Sequence, residues 1–184
     1  MATSEIESAL VAKAAGGDHA AFKELVERCD RLVTALLVDR IGRRDDVQDL
    51  RQEVFFRIYR GLESLRDHEV FLAWVRGICR NVVREYWAGR ARSPGNLEEA
   101  TEPIIEVDFD NESQSIEYAI TKALGVLPAR YREVLRLRYF ARMSYEDIAL
   151  TLSLSFTAVD ALVRRAKARL KESVLPMLER EHLK

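Results

Sequence analysis

LPARYREVLRLRYFARMSYEDIALTLSLSFTAVDALVRRAKARL, residues 127–170, is the stretch that decides the fold. Leu127-Pro128 opens a helix, with Pro at a first-turn position that tolerates its missing N–H. Tyr131, Val134 and Leu135 give that helix an apolar side. Ser144-Tyr145-Glu146-Asp147 is a capping-box variant, Ser as N-cap and Asp three residues on. The short helix it starts carries Ile148, Ala149 and Leu152. Ser153-Leu154-Ser155 then makes a tight turn, and a longer helix follows with Val159, Val163, Ala166 and Leu170 on one side. Two helices across a three-residue turn, the second ending in RRAKARLK (164–171), form a helix-turn-helix pattern. In that geometry the second helix enters the major groove and its start meets base edges. Thr157, Asp160, Ala161 and Arg164 lie off the buried stripe and would face DNA. Arg164, Arg165, Lys167, Arg169 and Lys171 would supply the salt-dependent phosphate contacts. Taken alone, the pattern fits equally an amphipathic hairpin with a solvated basic end.

The helical period extends in both directions. Upstream it holds at Ile116, Ala119, Ile120, Ala123 and Leu124. In the first half, Asp18 is a good N-cap for a helix burying Phe22, Leu25, Val26, Cys29, Leu32, Val33, Leu36 and Leu37, and Gly42 follows its end. A second helix starts near Asp45 and buries Val47, Leu50, Val54, Ile58 and Leu62. A third begins around Glu69 and buries Phe71, Trp74, Val75, Ile78 and Val82, with Gly61 separating the two. A short helix from Ser4 to about Ala15 precedes them. Only eight Gly and four Pro in 184 residues leave little turn chemistry for an all-β design. The expected fold is all-α.

Between the halves, SPGNLEEATEPIIEVDFDNESQS (93–115) breaks every period. It carries seven acids and no base, whereas 116–184 carries 13 bases against 8 acids and 1–92 is near neutral. Two prolines, a glycine and self-repelling carboxylates favour an extended tether. The organisation read here is two small helical domains, 1–92 and 116–184, joined by an acidic flexible linker over 93–115. A net charge of -1 conceals this segregation, which bears on partners.

Two further constellations stand out. Arg76, Arg80 and Arg84 follow one another at one-turn intervals on the third helix, with Asn81, Tyr86 and Trp87 nearby. A basic stripe beside aromatics suits single-stranded or opening DNA; the plainer account is a solvated face. Asp46, Asp49, Gln52 and Glu53 share the side of the second helix opposite its apolar stripe, where they could dock on a basic protein surface or simply face water.

Other chemistry finds no footing. Cys29 and Cys79 lie far apart without a second Cys beside either, which fits neither a metal site nor a disulfide framework; buried free thiols are expected. His19, His68 and His182 are isolated, and no glycine-rich phosphate loop or HExxH is present. No catalytic residue, metal or cofactor is expected. No apolar run approaches the ~20 residues that span a bilayer, and no signal peptide is recognisable. No membrane insertion and a cytoplasmic location are therefore expected.

The residues also match a known family. DDVQDLRQEVFFRIYRGL (45–62) resembles the polymerase-docking helix of extracytoplasmic-function sigma factors, members of the sigma-70 superfamily. FLAWVRGICRNVVREYW (71–87) is similar to the helix that grips the promoter −10 region, and 127–170 to the family's −35-binding domain. The three cover 79 of the 184 residues, in order and with the right gap. The resemblance implies that Asp46, Asp49, Gln52 and Glu53 engage the clamp of the largest subunit of core RNA polymerase. It implies that Arg66, Asp67 and His68, with Arg76, Arg80, Asn81 and Arg84, handle the −10 strand. Ser155, Thr157, Ala158, Asp160, Ala161, Arg164, Arg165 and Lys167 would then meet −35 DNA. Further implied partners are the flap of the second-largest subunit, promoter DNA and an anti-sigma factor, and the implied role is transcription initiation without enzymatic activity.

The chain departs from the family in its reading helix. Ser153 stands where Gly is usual, and Asp160 and Leu162 stand where Lys and Arg are usual. Asp160 would accept a hydrogen bond from a cytosine amino group, and its apolar neighbour would touch a thymine methyl. Glu85 replaces a common Asp. Two other readings remain at this point: a free-standing helix-turn-helix regulator, and a helical interaction protein that mimics a sigma factor.

Overall fold

A computed structural model describes residues 8–41, 44–91 and 113–181, and among them every regular element is helical. The first half holds α1 (Ser8–Ala15), α2 (His19–Ile41), α3 (Arg44–Gly61) and α4 (Phe71–Ala91). The second holds α5 (Ser113–Gly125), α6 (Ala129–Leu135), α7 (Tyr145–Leu152) and α8 (Phe156–Glu181). Short 3-10 turns at Leu62–Ser64 and His68–Val70 join α3 to α4, and a π turn, Arg136–Phe140, prolongs α6.

The helix ends follow local chemistry. Asp18 Oδ1 accepts from the backbone N–H groups of Ala20 and Ala21 at 2.9 and 3.0 Å, capping α2. Gly17, at φ +90°, lets the chain leave α1 through paired bonds from Asp18 N to Lys13 O and from Gly17 N to Ala14 O. The Ser144 capping box forms in full: Ser144 Oγ accepts from Asp147 N, and Asp147 Oδ2 accepts from Ser144 N at 3.2 Å. Asp147 is thereby buried with its carboxylate satisfied. Pro128 lies one position earlier than expected, at the N-cap of α6 rather than inside its first turn. The expected linker, 93–115, falls mostly outside the described residues, as do Gly42 and the start of the expected first helix. At its far end the boundary shifts: Ser113–Ser115 already belong to α5.

The core is continuous. Leu25, Cys29, Leu32, Val33, Leu36, Leu37 and Ile41 line α2, which packs on α1, α3 and α4. Val134, Leu137, Ile148, Val159, Val163 and Ala166 fill the second half, where α8 packs on α5, α6 and α7. These two sets merge, because α2 also meets α6 and the π turn and α4 meets α7. Trp74 packs with Phe71 at 6.0 Å between ring centroids and lies over Gly61, where a Cβ would come within 2.9 Å of the indole.

Ser153 ends α7 at φ 54°, with Leu154 N bonded to Ala149 O and Ser153 N to Leu150 O. This is a glycine-type C-cap carried by a residue with a Cβ, a conformation costing roughly 1–2 kcal/mol. Part of that returns through the greater freedom of an unfolded glycine. Ser153→Gly is therefore expected to stabilise the chain by about 0.5–1 kcal/mol in urea unfolding, and an unchanged midpoint would count against the strain.

Both cysteines are buried and free, as expected. Burial pushes each thiol up to about 12. At pH 8 the thiolate is then roughly a thousandfold scarcer than in an exposed cysteine. A disulfide-exchange dye should react with neither thiol in the folded chain and with both after denaturation. The unfolded thiols ionise near 9 while the folded ones hold their protons. Stability is thus full below pH 9 and falls between pH 9 and 12, by about 1.4 kcal/mol per thiol per pH unit.

Candidate nucleic-acid and protein interfaces

Because Val47, Val54, Ile58 and Leu62 turn inward, α3 presents its opposite side to solvent. Asp49 and Gln52 are exposed there, and Glu53 is half-exposed. Glu53 accepts from Arg57 Nε at 2.6 Å, and Arg57 reaches across to Glu85 of α4 with two bonds of 3.0 and 2.7 Å. The guanidinium is pushed well above its ordinary pKa by Glu85 first and Glu53 second, and Arg57 holds the Glu85 carboxyl below the usual carboxylate range. Exposed pairs of this kind contribute at most about 1 kcal/mol, so their effect is to fix where the carboxylates point.

Asp46 is presented differently. Its Oδ2 accepts from the Tyr86 hydroxyl at 2.6 Å and lies 3.9 Å from Arg90 Nη1. It ties α3 to α4 and is largely covered, so the open acidic face consists of Asp49, Gln52 and Glu53. Burial and then the Asp46 bond raise the Tyr86 pKa.

Two residues of this face escaped the sequence reading. Phe56 is 53 % exposed and Tyr59 52 %. Arg60 lies 5.6 Å over the Phe56 ring, and Phe22 meets Tyr59 edge-on at 5.0 Å. The signal was spacing, since Phe56 falls four residues after Gln52 and three after Glu53. Exposed aromatics beside charge are the composition of a binding surface.

On α4, Arg80, Asn81 and Arg84 are exposed, and Arg84 adds to the positive charge that holds the Glu85 carboxyl low. Arg76, one turn earlier, does not join them. Its Nε and Nη2 donate to Glu133 of α6 at 2.9 and 3.3 Å. Tyr86 and Trp87 are not open stacking platforms either. Both are half-buried; Trp87 Nε1 donates to Arg40 O at 3.2 Å and Tyr86 meets its ring edge-on. In the loop before α4, Arg66 and Asp67 are exposed and His68 is half-buried. Asp67 Oδ1 accepts from Glu69 N at 2.9 Å, fixing the loop's exit into the 3-10 turn.

The helix-turn-helix forms as read. Ser155 Oγ accepts from Ala158 N at 3.2 Å and sits 3.1 Å from Thr157 Oγ1, starting α8. Thr157, Ala158, Asp160, Arg164, Arg165 and Lys167 are exposed, and Ala161 is half-buried. The Lys167 ammonium lies 5.8 Å over the Tyr139 ring. One expectation fails: Leu162 is only 7 % exposed and belongs to the core. The α8 stripe is wider than the four residues read from spacing, running 159, 162, 163, 166. Leu162 therefore cannot touch a thymine methyl.

These surfaces sit on a chain with clear relatives. Residues 25–93 match the family described as Sigma-70 region 2, and residues 118–170 match Sigma-70, region 4. An ECF RNA polymerase sigma-E factor of Haemophilus influenzae is 29% identical over 97% of this chain and all of its own length. The RNA polymerase sigma-H factor of Pseudomonas aeruginosa is 29% identical over 97% of this chain and 98% of itself. The chain is an extracytoplasmic-function sigma factor of the sigma-70 superfamily. Two solved structures share its architecture. CnrH, in complex with the cytosolic domain of CnrY, superimposes with a TM-score of 0.61 at 27% identity, covering 90% of this factor and 95% of CnrH. RpoE from Bartonella quintana, bound to the anti-sigma factor NepR, gives 0.56 at 25% identity over 83% of this factor and 95% of RpoE. Among the described residues no helix of the factor is long and apolar enough to cross a membrane.

Proposed function

We propose that this sigma factor seats on core RNA polymerase through the outer face of α3 and reads promoter DNA with α4 and α8. The carrying observation is the adjacency of two unlike surfaces on the first half. Asp49, Gln52 and Glu53 face outward on α3, and Arg80, Asn81 and Arg84 face outward on α4. A carboxylate face suits a basic protein surface, here the clamp of the largest subunit, and Phe56 and Tyr59 supply apolar area to the same contact. The cations of α4 and the Arg66–His68 loop suit the −10 strand as it opens.

Ser155, Thr157, Ala158, Asp160 and Ala161 at the start of α8 are placed by this reading against −35 base edges, with Arg164, Arg165 and Lys167 on phosphates. Asp160 adds an acceptor and no cation, so it suits a cytosine amino group. The working division is 1–92, 93–115 and 116–184, with the second half also meeting the polymerase flap. An anti-sigma factor is a fitting further partner, since Bartonella quintana RpoE is solved with one. The site of action is the cytoplasm, and no catalysis is assigned. A free-standing regulator would leave both surfaces of the first half without a use.

Run-off transcription from a cognate promoter with purified core polymerase tests the reading. The triple variant Asp49→Ala, Gln52→Ala, Glu53→Ala should lose co-elution with core polymerase while keeping its helical signal; retained binding would show the docking face to be elsewhere. Arg80→Ala with Arg84→Ala should spare polymerase binding and weaken promoter binding by the holoenzyme, lowering the salt slope by about one per arginine. Tight duplex binding by the chain alone, indifferent to Arg80 and Arg84, would favour the regulator instead.

A further inference from the structure

Arg76 stands in the α4 stripe between the core and the exposed Arg80, yet its side chain is committed to the other half of the molecule. Glu133, 57 residues on, accepts two bonds from it at 2.9 and 3.3 Å. Glu133 is 8 % exposed. A carboxylate so covered needs a cation, because leaving it unpaired away from water is costly. The cation it has comes from the first half, and the planar guanidinium supplies a two-bond fit that a lysine would not.

Around this pair the halves close on each other through α4 against α7 and through α2 against α6 and the π turn. The closure is incomplete. A crevice of about 700 Å³ runs between α2 and α3 on one side and α5, α6 and α8 on the other, lined by Val38, Val47, Leu124, Leu135, Tyr139 and Phe140 among others. Interiors are otherwise close-packed, so this seam is where the chain would part.

The closed form cannot perform the whole proposed task. Elements near −35 and −10 are separated by roughly 25 base pairs, about 85 Å at 3.4 Å per step. A compact chain of this length is only roughly 40 Å across. Reading both at once requires the halves to separate, and separation breaks the Arg76–Glu133 pair.

We propose that Arg76 and Glu133 form a latch that keeps the free factor closed, and that loading onto polymerase opens it and transfers Arg76 from carboxylate to promoter phosphate. The transfer rests on the function proposed above; the latch itself is a property of the chain alone. One residue thus serves the resting and the working state in turn, and Arg76 cannot contact DNA until the halves part. The apparent affinity for polymerase is then reduced by the fraction of chain that is closed.

The test uses the full-length factor, labelled through Glu63→Cys and Glu146→Cys, the native thiols being buried. Glu133→Arg sets two guanidinium groups against each other. It is expected to lower dye-to-dye energy transfer and raise the radius of gyration in small-angle scattering. Adding Arg76→Glu restores opposite charges in swapped order and should return both readings towards wild type. Circular dichroism reports whether each variant stays helical; where E133R does not, the isosteric E133Q makes the same comparison with a smaller shift. Core polymerase should bind E133R more tightly, roughly tenfold if the free factor is nine-tenths closed. Equal compaction of wild type and the charge variants, or opening that R76E does not reverse, overturns the latch. An opened E133R chain with unchanged polymerase affinity overturns the gating role. Wild-type factor that never binds polymerase counts against the proposed function instead, because the distance readings need no polymerase.

Discussion

Burial of α2 on several sides at once sets the arrangement of everything else. Its inward residues repeat over about four and a half turns, from Leu25 to Ile41, and each large aliphatic side chain taken from water contributes about 1.5–3 kcal/mol. A helix this apolar needs cover from more than one neighbour. α1, α3 and α4 supply most of it, and the π turn and α6 of the second half supply the rest. Once α3 and α4 are committed to α2, their rotation about their own axes is fixed, and so are the residues left outside. The acidic face and the arginine face are consequences of that packing.

The same constraint explains what could be read from the sequence. A period of 3.6 and local capping are properties of neighbouring residues, so the helices, the Asp18 cap, the Ser144 capping box and the exposed arginines Arg80 and Arg84 were legible. Leu162 was not, because it lies at the edge of the α8 stripe, where helical spacing alone leaves a residue's side undecided. Arg76 was illegible for a different reason. Its local pattern matches Arg80 and Arg84, and only a partner 57 residues away distinguishes it. Phe56 follows Phe55 directly and lies about 100° further round the helix. Spacing from Gln52 would have chosen the outward one.

Electrostatics then sorts residues that look alike. Asp46 and Glu53 are both helix carboxylates on the side away from the apolar stripe. Asp46 meets a phenol and a distant cation from α4 and becomes part of the seam between helices. Glu53 meets Arg57, which Glu85 shares, and remains at the surface with its direction fixed. Sequence position gave them one role, whereas the neighbouring helix gave them two.

Two modules of this size face a surface-to-volume problem, since small domains bury proportionally less of their chain. Sharing one core relieves it in the free factor. The relief is temporary if function demands an extended chain, because parting the halves uncovers Val38, Val47 and Leu135, beside the already exposed rings of Tyr139 and Phe140. Apolar surface of that kind must be covered again, and the polymerase is the body at hand. A charged pair suits that seam better than a further apolar contact. Its two members regain hydration or new partners when they separate, so the pair specifies closure without making it permanent.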